Sequence, residues 1–382
     1  MLAPLATFVV AGAYLQGRNP SRSFMDTAEQ KSDSSKSSYL TFLGTGSSTG
    51  CPKPACLYAS HLPTPFPCAV SKQAAVGDPR TNKNYRNNPS LLISYTPPAE
   101  VCGPRHTQHV VIDAGKTFRE SLIRFLPSPF RSLTAVVLTH EHCDAYGGLD
   151  DLRGAQLPDG KGGLVALPVF LNDETMATAK RAFPYLVPTS GKGWWDANDG
   201  DAEEKKQEGK QQQQQQQQSQ SPDKKEFRMV ATLDFKRIEP FKTFTVGDGK
   251  PGELKLTPLP VMHGEDCVCL AFVFGEKERV LYMSDVSRIP AVTMDWISSN
   301  LLDVDVLVID CLFEKGKHNT HFCLDDAVEF INLIRPKKAF MVGMSCDTFP
   351  EHDVMNERLK KMFPPGICVQ FAHDGLRVPV DL

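Results

Sequence analysis

The sequence predicts an α/β fold in which strands and helices stack in layers, and three observations support this prediction. Short apolar runs typical of buried strands recur in the first part of the chain, at residues 39–44, 91–95, 109–112 and 135–138. Residues 117–126 lie between the last two runs and carry apolar side chains near helical spacing. Later runs end in aspartate or lead into histidine. This order fits a layered sandwich in which loops at one sheet edge carry the chemistry.

Composition places the chain among globular proteins with ample material for a large core. Of its 382 residues, 41% are hydrophobic and 23% are charged, and the formal net charge is −3. This balance gives no general attraction to nucleic acids or anionic membranes, so neither is expected as a partner. The eleven cysteines lack regular spacing, which indicates reduced thiols inside the cell, with the cytoplasm as the expected compartment.

The first 37 residues are predicted to be a disordered tail or a weak targeting segment. Residues 1–15 are apolar and uncharged but too short to span a bilayer, and they lack the positive start of a secretory signal. Arg18 and Arg22 precede the first acid, Asp26, as in organelle transit peptides. Import into an organelle is therefore the alternative to a cytoplasmic location.

A low-complexity insertion is predicted at residues 189–226. It contains eight consecutive glutamines at 211–218 together with mixed lysines and glutamates. Such a composition cannot bury enough apolar surface to fold, so we expect a passive, disordered spacer.

The strongest chemical signal is a pair of histidines and an aspartate directly after the strand at 135–138. His140, His142 and Asp144 stand at alternate positions, and alternation along extended chain sends side chains to the same side. Two imidazoles and a carboxylate that converge suit a divalent ion such as zinc.

Residues 139–149, Thr-His-Glu-His-Cys-Asp-Ala-Tyr-Gly-Gly-Leu, resemble the metal-binding signature of the metallo-β-lactamase superfamily, His-x-His-x-Asp-His followed by Gly-Leu. Residues 42–50 and 82–90 are similar to the branch that holds ribonuclease Z and the cyclic phosphodiesterase of bacterial phosphonate breakdown. The resemblance runs from about residue 39 to the end, except for the insertion and part of the first loop. It implies a four-layer αββα sandwich over residues 38–382.

The resemblance also implies roles for residues outside the signature. His263 matches the third metal histidine, Asp285 matches the carboxylate that bridges two metals, and Asp113 matches an aspartate that orients a liganding histidine. One complete zinc site is therefore expected, built from His140, His142, His263 and Asp285.

The second metal site of the family is expected to be weak. Ala145 and Gly343 stand where the pattern has histidines, which leaves Asp144 and the shared Asp285. We therefore expect one firmly bound zinc and a doubtful second ion, unless His352 or the substrate completes the site. Manganese is the alternative metal.

A structural zinc is a separate implication of the resemblance. Members of the branch hold it with closely spaced cysteines and a distant histidine. Here the loop at 51–89 offers Cys51, Cys56 and Cys68, and Cys346 lies near the position of the histidine. The alternative is a set of unpaired thiols in a loop.

The implied function is a metal-dependent phosphodiesterase that uses metal-bound hydroxide on a small or cyclic phosphodiester. Asp144 and His321 are the expected catalytic residues. His321 precedes a predicted helix and would contact the phosphate or protonate the leaving oxygen. Two alternatives stay open: a thioesterase or lactonase of the same fold, and a catalytically weakened metal-binding scaffold.

Removing residues 195–222 is expected to leave the melting temperature and the activity nearly unchanged, because the entropy of closing a surface loop grows slowly with its length. Thermal melting and turnover of the deletion variant check this. A fall of many degrees, or a strong loss of turnover, would show that the insertion packs on the rest of the protein.

Overall fold

The computed structural model describes residues 38–58, 68–97, 107–127, 130–187, 230–247 and 252–382, all of which belong to one compact unit. The tail predicted at 1–37 and the insertion predicted at 189–226 lie outside the described residues. No helix in the described part of the chain is long and apolar enough to cross a membrane.

Fourteen strands are present in the described residues, and they match most of the apolar runs of the sequence. They are β1 (Ser38–Gly44), β2 (Ser90–Tyr95), β3 (Gln108–Ile112), β4 (Ala135–Val137), β5 (Leu167–Leu171), β6 (Leu233–Arg237), β7 (Phe244–Thr245), β8 (Lys255–Met262), β9 (Val268–Phe274), β10 (Val280–Met283), β11 (Val306–Asp310), β12 (Lys338–Val342), β13 (Cys368–Phe371) and β14 (Arg377–Val380).

The strands form two seven-stranded sheets of matching design. One has the order β14-β1-β2-β3-β4-β5-β6, and the other has the order β13-β12-β11-β10-β9-β8-β7. The first sheet is antiparallel from β14 to β3 and parallel from β3 to β6. The second is antiparallel from β7 to β10 and parallel from β10 to β13. Parallel neighbours end at the same sheet edge, so the loops after β3, β4, β10, β11 and β12 are grouped there.

Helices flank the sheets. They are α1 (Pro54–Tyr58), α2 (Ala69–Ala74), α3 (Phe118–Phe125), α4 (Cys143–Tyr146), α5 (Asp173–Ala182), α6 (Ala291–Asn300), α7 (Leu324–Ile334) and α8 (His352–Met362), with a 3₁₀ helix at Leu149–Ala155.

Three apolar layers hold the sandwich together. One lies between the sheets and joins residues such as Ile93 of β2 and Phe272 of β9. A second packs the outer face of the second sheet against α7 and α8, and a third packs the first sheet against α3 and α5. Helix–sheet–sheet–helix layering is the αββα sandwich expected from the sequence, and the fold prediction is confirmed.

Some local predictions were wrong. Residues 51–89 were expected to be one long loop, but they contain α1 and α2, whose few residues are too short for a clear helical period. The strand β14 was not predicted, because Pro379 interrupts its apolar pattern; this strand pairs at the sheet edge, where proline is tolerated.

Phe272→Ala should lower the free energy of unfolding by about 3–5 kcal/mol, because the ring is fully buried between the sheets and its removal leaves a cavity. Leu302→Ala is the control: Leu302 is 89% exposed, and the change should stay within about 0.5 kcal/mol. Urea denaturation measures both. Equal stabilities of the two variants would contradict the inter-sheet layer as the core.

Candidate metal centre

The predicted metal ligands come from both sheets and meet at one edge. His140 and His142 follow β4 of the first sheet, and His263 and Asp285 follow β8 and β10 of the second. His140, His263 and Asp285 are at most 5% exposed, whereas His142 faces the solvent. The site is therefore a buried floor with one open side.

Three imidazoles form the centre of this site. Ligand nitrogens of His140, His142 and His263 all lie within 4.8 Å of one another. His263 Nε2 lies 3.1 Å from His142 Nδ1. Three histidines at this separation are a common donor set for zinc.

A chain of hydrogen bonds orients His140 toward the centre. Thr139 Oγ1 donates to Asp113 Oδ2 at 2.9 Å, so Thr139 Oγ1 in turn accepts from His140 Nδ1 at 2.8 Å. The lone pair then lies on His140 Nε2, which is buried and has no hydrogen-bond partner among the described residues. Burial, with the neighbouring His263, lowers the pKa of His140 to about 3 and keeps it neutral. An orphaned, neutral, buried nitrogen fits a metal ligand.

His263 is oriented in the same sense by a different group. Its Nδ1 lies 2.6 Å from the carbonyl oxygen of Thr320, and a carbonyl can only accept, so Nδ1 carries the proton. Nε2 is left with its lone pair toward the other imidazoles. Burial also lowers the pKa of His263 and favours the neutral ring. The residues present therefore fit a divalent metal ion.

Asp144 lies beside the imidazoles, but not through the extended backbone that the sequence argument assumed. It belongs to α4, and its carboxylate raises the pKa of His140 against the larger effect of burial. Gly115 allows this placement, since a Cβ atom there would overlap the carbonyl oxygen of Asp144. Helical backbone thus replaces the predicted alternation after His142.

His321 approaches the same centre from the loop before α7. Its ring centroid lies 4.7 Å from that of His263, and its Nδ1 lies 2.8 Å from Asp310 Oδ2 and 3.8 Å from Asp285 Oδ1. Burial by itself would lower the pKa of His321, but Asp310 raises it to about 9. The hydrogen bond to Asp310 fixes Nδ1 and leaves Nε2 as the reactive nitrogen. Because ligand atoms of His263, Asp285 and His321 also lie within 4.8 Å of one another, this trio could hold an ion as well.

The structure explains why histidine does not stand at position 343. Gly343 has a φ of +80°, and a Cβ atom there would lie 2.5 Å from Asp310 Oδ1. Asp310 is fully buried, and this oxygen has no hydrogen-bond partner among the described residues. The glycine and the aspartate are therefore matched, and a side chain at 343 would displace the carboxylate that holds His321.

His352 does not take the place of the missing ligand. It begins α8, where its Nε2 lies 3.0 Å from Asn356 Nδ2 and its ring lies 5.5 Å from that of His373. Within the described ranges, none of the clusters that could hold a metal includes it. Ala145, the other position where the family pattern has a histidine, is buried, with 2% of its surface exposed.

The cysteines singled out in the sequence form a second cluster, which we call the cysteine centre: Cys51, Cys56, Cys68 and Cys346. The sulfurs of Cys56, Cys68 and Cys346 lie within 4.8 Å of one another. Ser71 Oγ lies 3.1 Å from Cys346 Sγ and 3.9 Å from Cys51 Sγ, which connects the fourth thiol. Three convergent sulfurs, with the Cys51 thiol beside them and no disulfide at any of the four, fit a structural zinc.

Sequence reasoning named Asp113 but missed the other groups that orient the histidines. Thr139 and Thr320 gave no signal, because a threonine beside a histidine is common. Asp310 did carry a signal: it ends a buried strand, as Asp113 and Asp285 do just after theirs. The repeated strand-then-aspartate pattern could have marked it as part of the site.

Comparisons with known proteins agree with this architecture. The sequence matches the family described as "Beta-lactamase superfamily domain" over residues 108–195 and 212–344. The chain therefore belongs to the metallo-β-lactamase superfamily, whose proteins bind divalent metals and include hydrolases.

The matches to individual relatives cover different shares of those proteins. A crystal structure described as a new diphosphatase from the PhnP family is 26% identical, with a TM-score of 0.60 over 91% of this chain and 99% of that chain. The metallo-β-lactamase fold protein YhfI from Bacillus subtilis is 15% identical, with a TM-score of 0.53 over 89% of this chain and 98% of that chain. A curated protein from Porphyromonas gingivalis (strain ATCC BAA-308 / W83), named octanoyltransferase, is 24% identical over 339 residues, 89% of this chain; the match spans only 51% of that protein.

His263→Ala should reduce the metal that the purified protein retains by close to one ion per chain, because it removes one of three imidazoles. His373→Ala is the matched control, since that half-buried imidazole lies outside the metal clusters of the described residues. Elemental analysis of both variants and the wild type measures this. Equal metal in all three proteins would contradict the site.

Proposed function

We propose that the protein is a metal-dependent phosphodiesterase that hydrolyses a small or cyclic phosphodiester. The observation that carries the proposal is His321, an imidazole held by Asp310 at the rim of the three-histidine cluster. A phosphodiester needs both a nucleophile on phosphorus and a proton for its leaving oxygen. The cluster and His321 would supply these two functions side by side.

His140, His142, His263 and Asp285 would hold the ion, which we propose to be zinc, with manganese as the alternative. When bound, such an ion lowers the pKa of a water molecule and polarises a phosphoryl oxygen. Asp144 would accept a hydrogen bond from the attacking water and orient it. Asp113 and Thr139 would keep His140 in the tautomer that presents Nε2.

His321 would act on the leaving side of phosphorus. Asp310 fixes its Nδ1 at 2.8 Å, so Nε2 is the nitrogen available to hydrogen-bond the phosphate or to deliver a proton. The buried carboxylate also favours the imidazolium form, which is both a donor and a positive charge near a phosphate. This pairing supports general acid catalysis.

The PhnP-family relative supports phosphorus chemistry, and its description as a diphosphatase makes a diphosphate ester the second substrate class to test. The curated relative named octanoyltransferase only suggests a substrate to test, because the match spans about half of that protein. An octanoyl thioester therefore belongs in the same substrate panel.

His321→Ala should slow hydrolysis of an alkyl phosphodiester by about 10²–10⁴-fold, because an alkoxide leaving group needs a proton. Hydrolysis of bis(4-nitrophenyl) phosphate should fall much less, since nitrophenolate leaves without one. Asp310→Asn should show the same pattern in weaker form. Steady-state turnover of both substrates measures the contrast.

His373→Ala is the control, as its imidazole belongs to none of the metal clusters of the described residues. Equal losses on both phosphodiesters, accompanied by lost metal, would show that His321 is a ligand and not an acid. Turnover of the thioester with no turnover of any phosphoester would overturn the proposed function.

A further inference from the structure

Arg86 is a buried cation without an assigned partner. It is 1% exposed, and its Nε, Nη1 and Nη2 atoms have no hydrogen-bond partner among the described residues. A guanidinium is always charged and offers five N–H donors. Burying it unpaired is strongly destabilising, so an anion is required beside it.

The position of Arg86 points to the cysteine centre. Its backbone pairs with that of Cys51 in both directions: Cys51 N donates to Arg86 O at 2.8 Å, and Arg86 N donates to Cys51 O at 2.9 Å. Burial lowers the pKa of Arg86, and the groups that oppose this effect are Cys51, Asp374, Cys346 and Cys68. Three members of the cysteine centre therefore lie within its electrostatic reach.

Asp374 is the other acid near Arg86, but it is already engaged. Its Oδ1 accepts from Thr45 Oγ1 at 2.8 Å, and its Oδ2 accepts from Asn87 N at 2.7 Å. Burial raises the pKa of Asp374 to about 7, which weakens it as a permanent anion. The Arg86 guanidinium makes no hydrogen bond to it.

The cysteine centre has the charge that Arg86 lacks. Four thiolates outweigh the charge of a zinc ion by two, one more than three thiolates with a neutral imidazole. Val70 and Ala74 pack against the sulfurs, so little water can screen the excess. Lys53, another cation nearby, is bound to Ser345 and Asp347.

We propose that Arg86 is the counter-cation of a zinc centre formed by Cys51, Cys56, Cys68 and Cys346, acting on the thiolates through its charge and not through a direct hydrogen bond. The guanidinium offsets part of the excess negative charge and favours the thiolate over the thiol. Cys346 stands near the position of the family's histidine, and its thiolate adds a negative charge to a buried centre. The Arg86 guanidinium would offset that charge. Arg86 does not touch the imidazole cluster, so this role is independent of the catalytic proposal.

The test is the zinc affinity of the cysteine centre in the full-length protein. Cys56→Ser and His263→Ala first assign each bound ion to its centre. Competition with a chromophoric chelator then compares the wild type, Arg86→Met and Arg124→Met. Arg124 is the matched control, a largely buried arginine that pairs with Glu120 and lies over the Tyr85 ring. Cobalt substitution provides a second readout, since its sulfur-to-metal charge-transfer band reports the thiolate ligands.

Arg86→Met should weaken zinc binding at the cysteine centre by about 10–100-fold, as expected for loss of a group that supports metal ligands, while Arg124→Met should not. If Arg86→Met does not fold, Arg86→Lys and Arg86→Gln are compared, and the lysine variant should bind zinc more tightly. Equal affinities in either comparison would overturn the proposal. The proposal would also be overturned if Cys56→Ser bound as much zinc as the wild type, because the cysteines would then hold no ion.

Discussion

The apolar layer between the two sheets sets the distance on which the site depends. His142 comes from the first sheet and His263 from the second, 121 residues later in the chain, yet their nitrogens lie 3.1 Å apart. Neither sheet alone carries a complete ligand set. Because close-packed interiors resist small displacements, the packing of residues such as Phe272 fixes the separation of imidazoles that belong to different halves of the chain.

Much of the fold and of the ligand set could be predicted from the sequence, because strands that end in histidine or aspartate leave a local signature. His140 and His142 were predicted in this way, whereas His263 and Asp285 were assigned through the resemblance to the family. The short helix that carries Asp144 could not be, since four residues show no period. The roles of Thr139 and Thr320 depend on contacts between distant segments, which no local pattern encodes.

The departures from the family pattern are linked to one another by geometry. Gly343 accommodates Asp310, Asp310 holds His321, and His321 stands beside Asp285. Position 343 therefore lacks the histidine of the family pattern, and the Asp310–His321 pair occupies the space beside it. Although burial lowers the pKa of His321, Asp310 raises it to about 9 and favours a protonated imidazole beside Asp285.

The loop after β12 joins the imidazole cluster to the cysteine centre over four residues. Gly343 N donates to Thr45 O at 2.9 Å, Met344 bridges to Gly46, and Cys346 follows. The two centres thus share one strand terminus and cannot be treated as separable modules. Grafting the catalytic edge onto another scaffold would need to carry the cysteines, Arg86 and the end of β1 along with it.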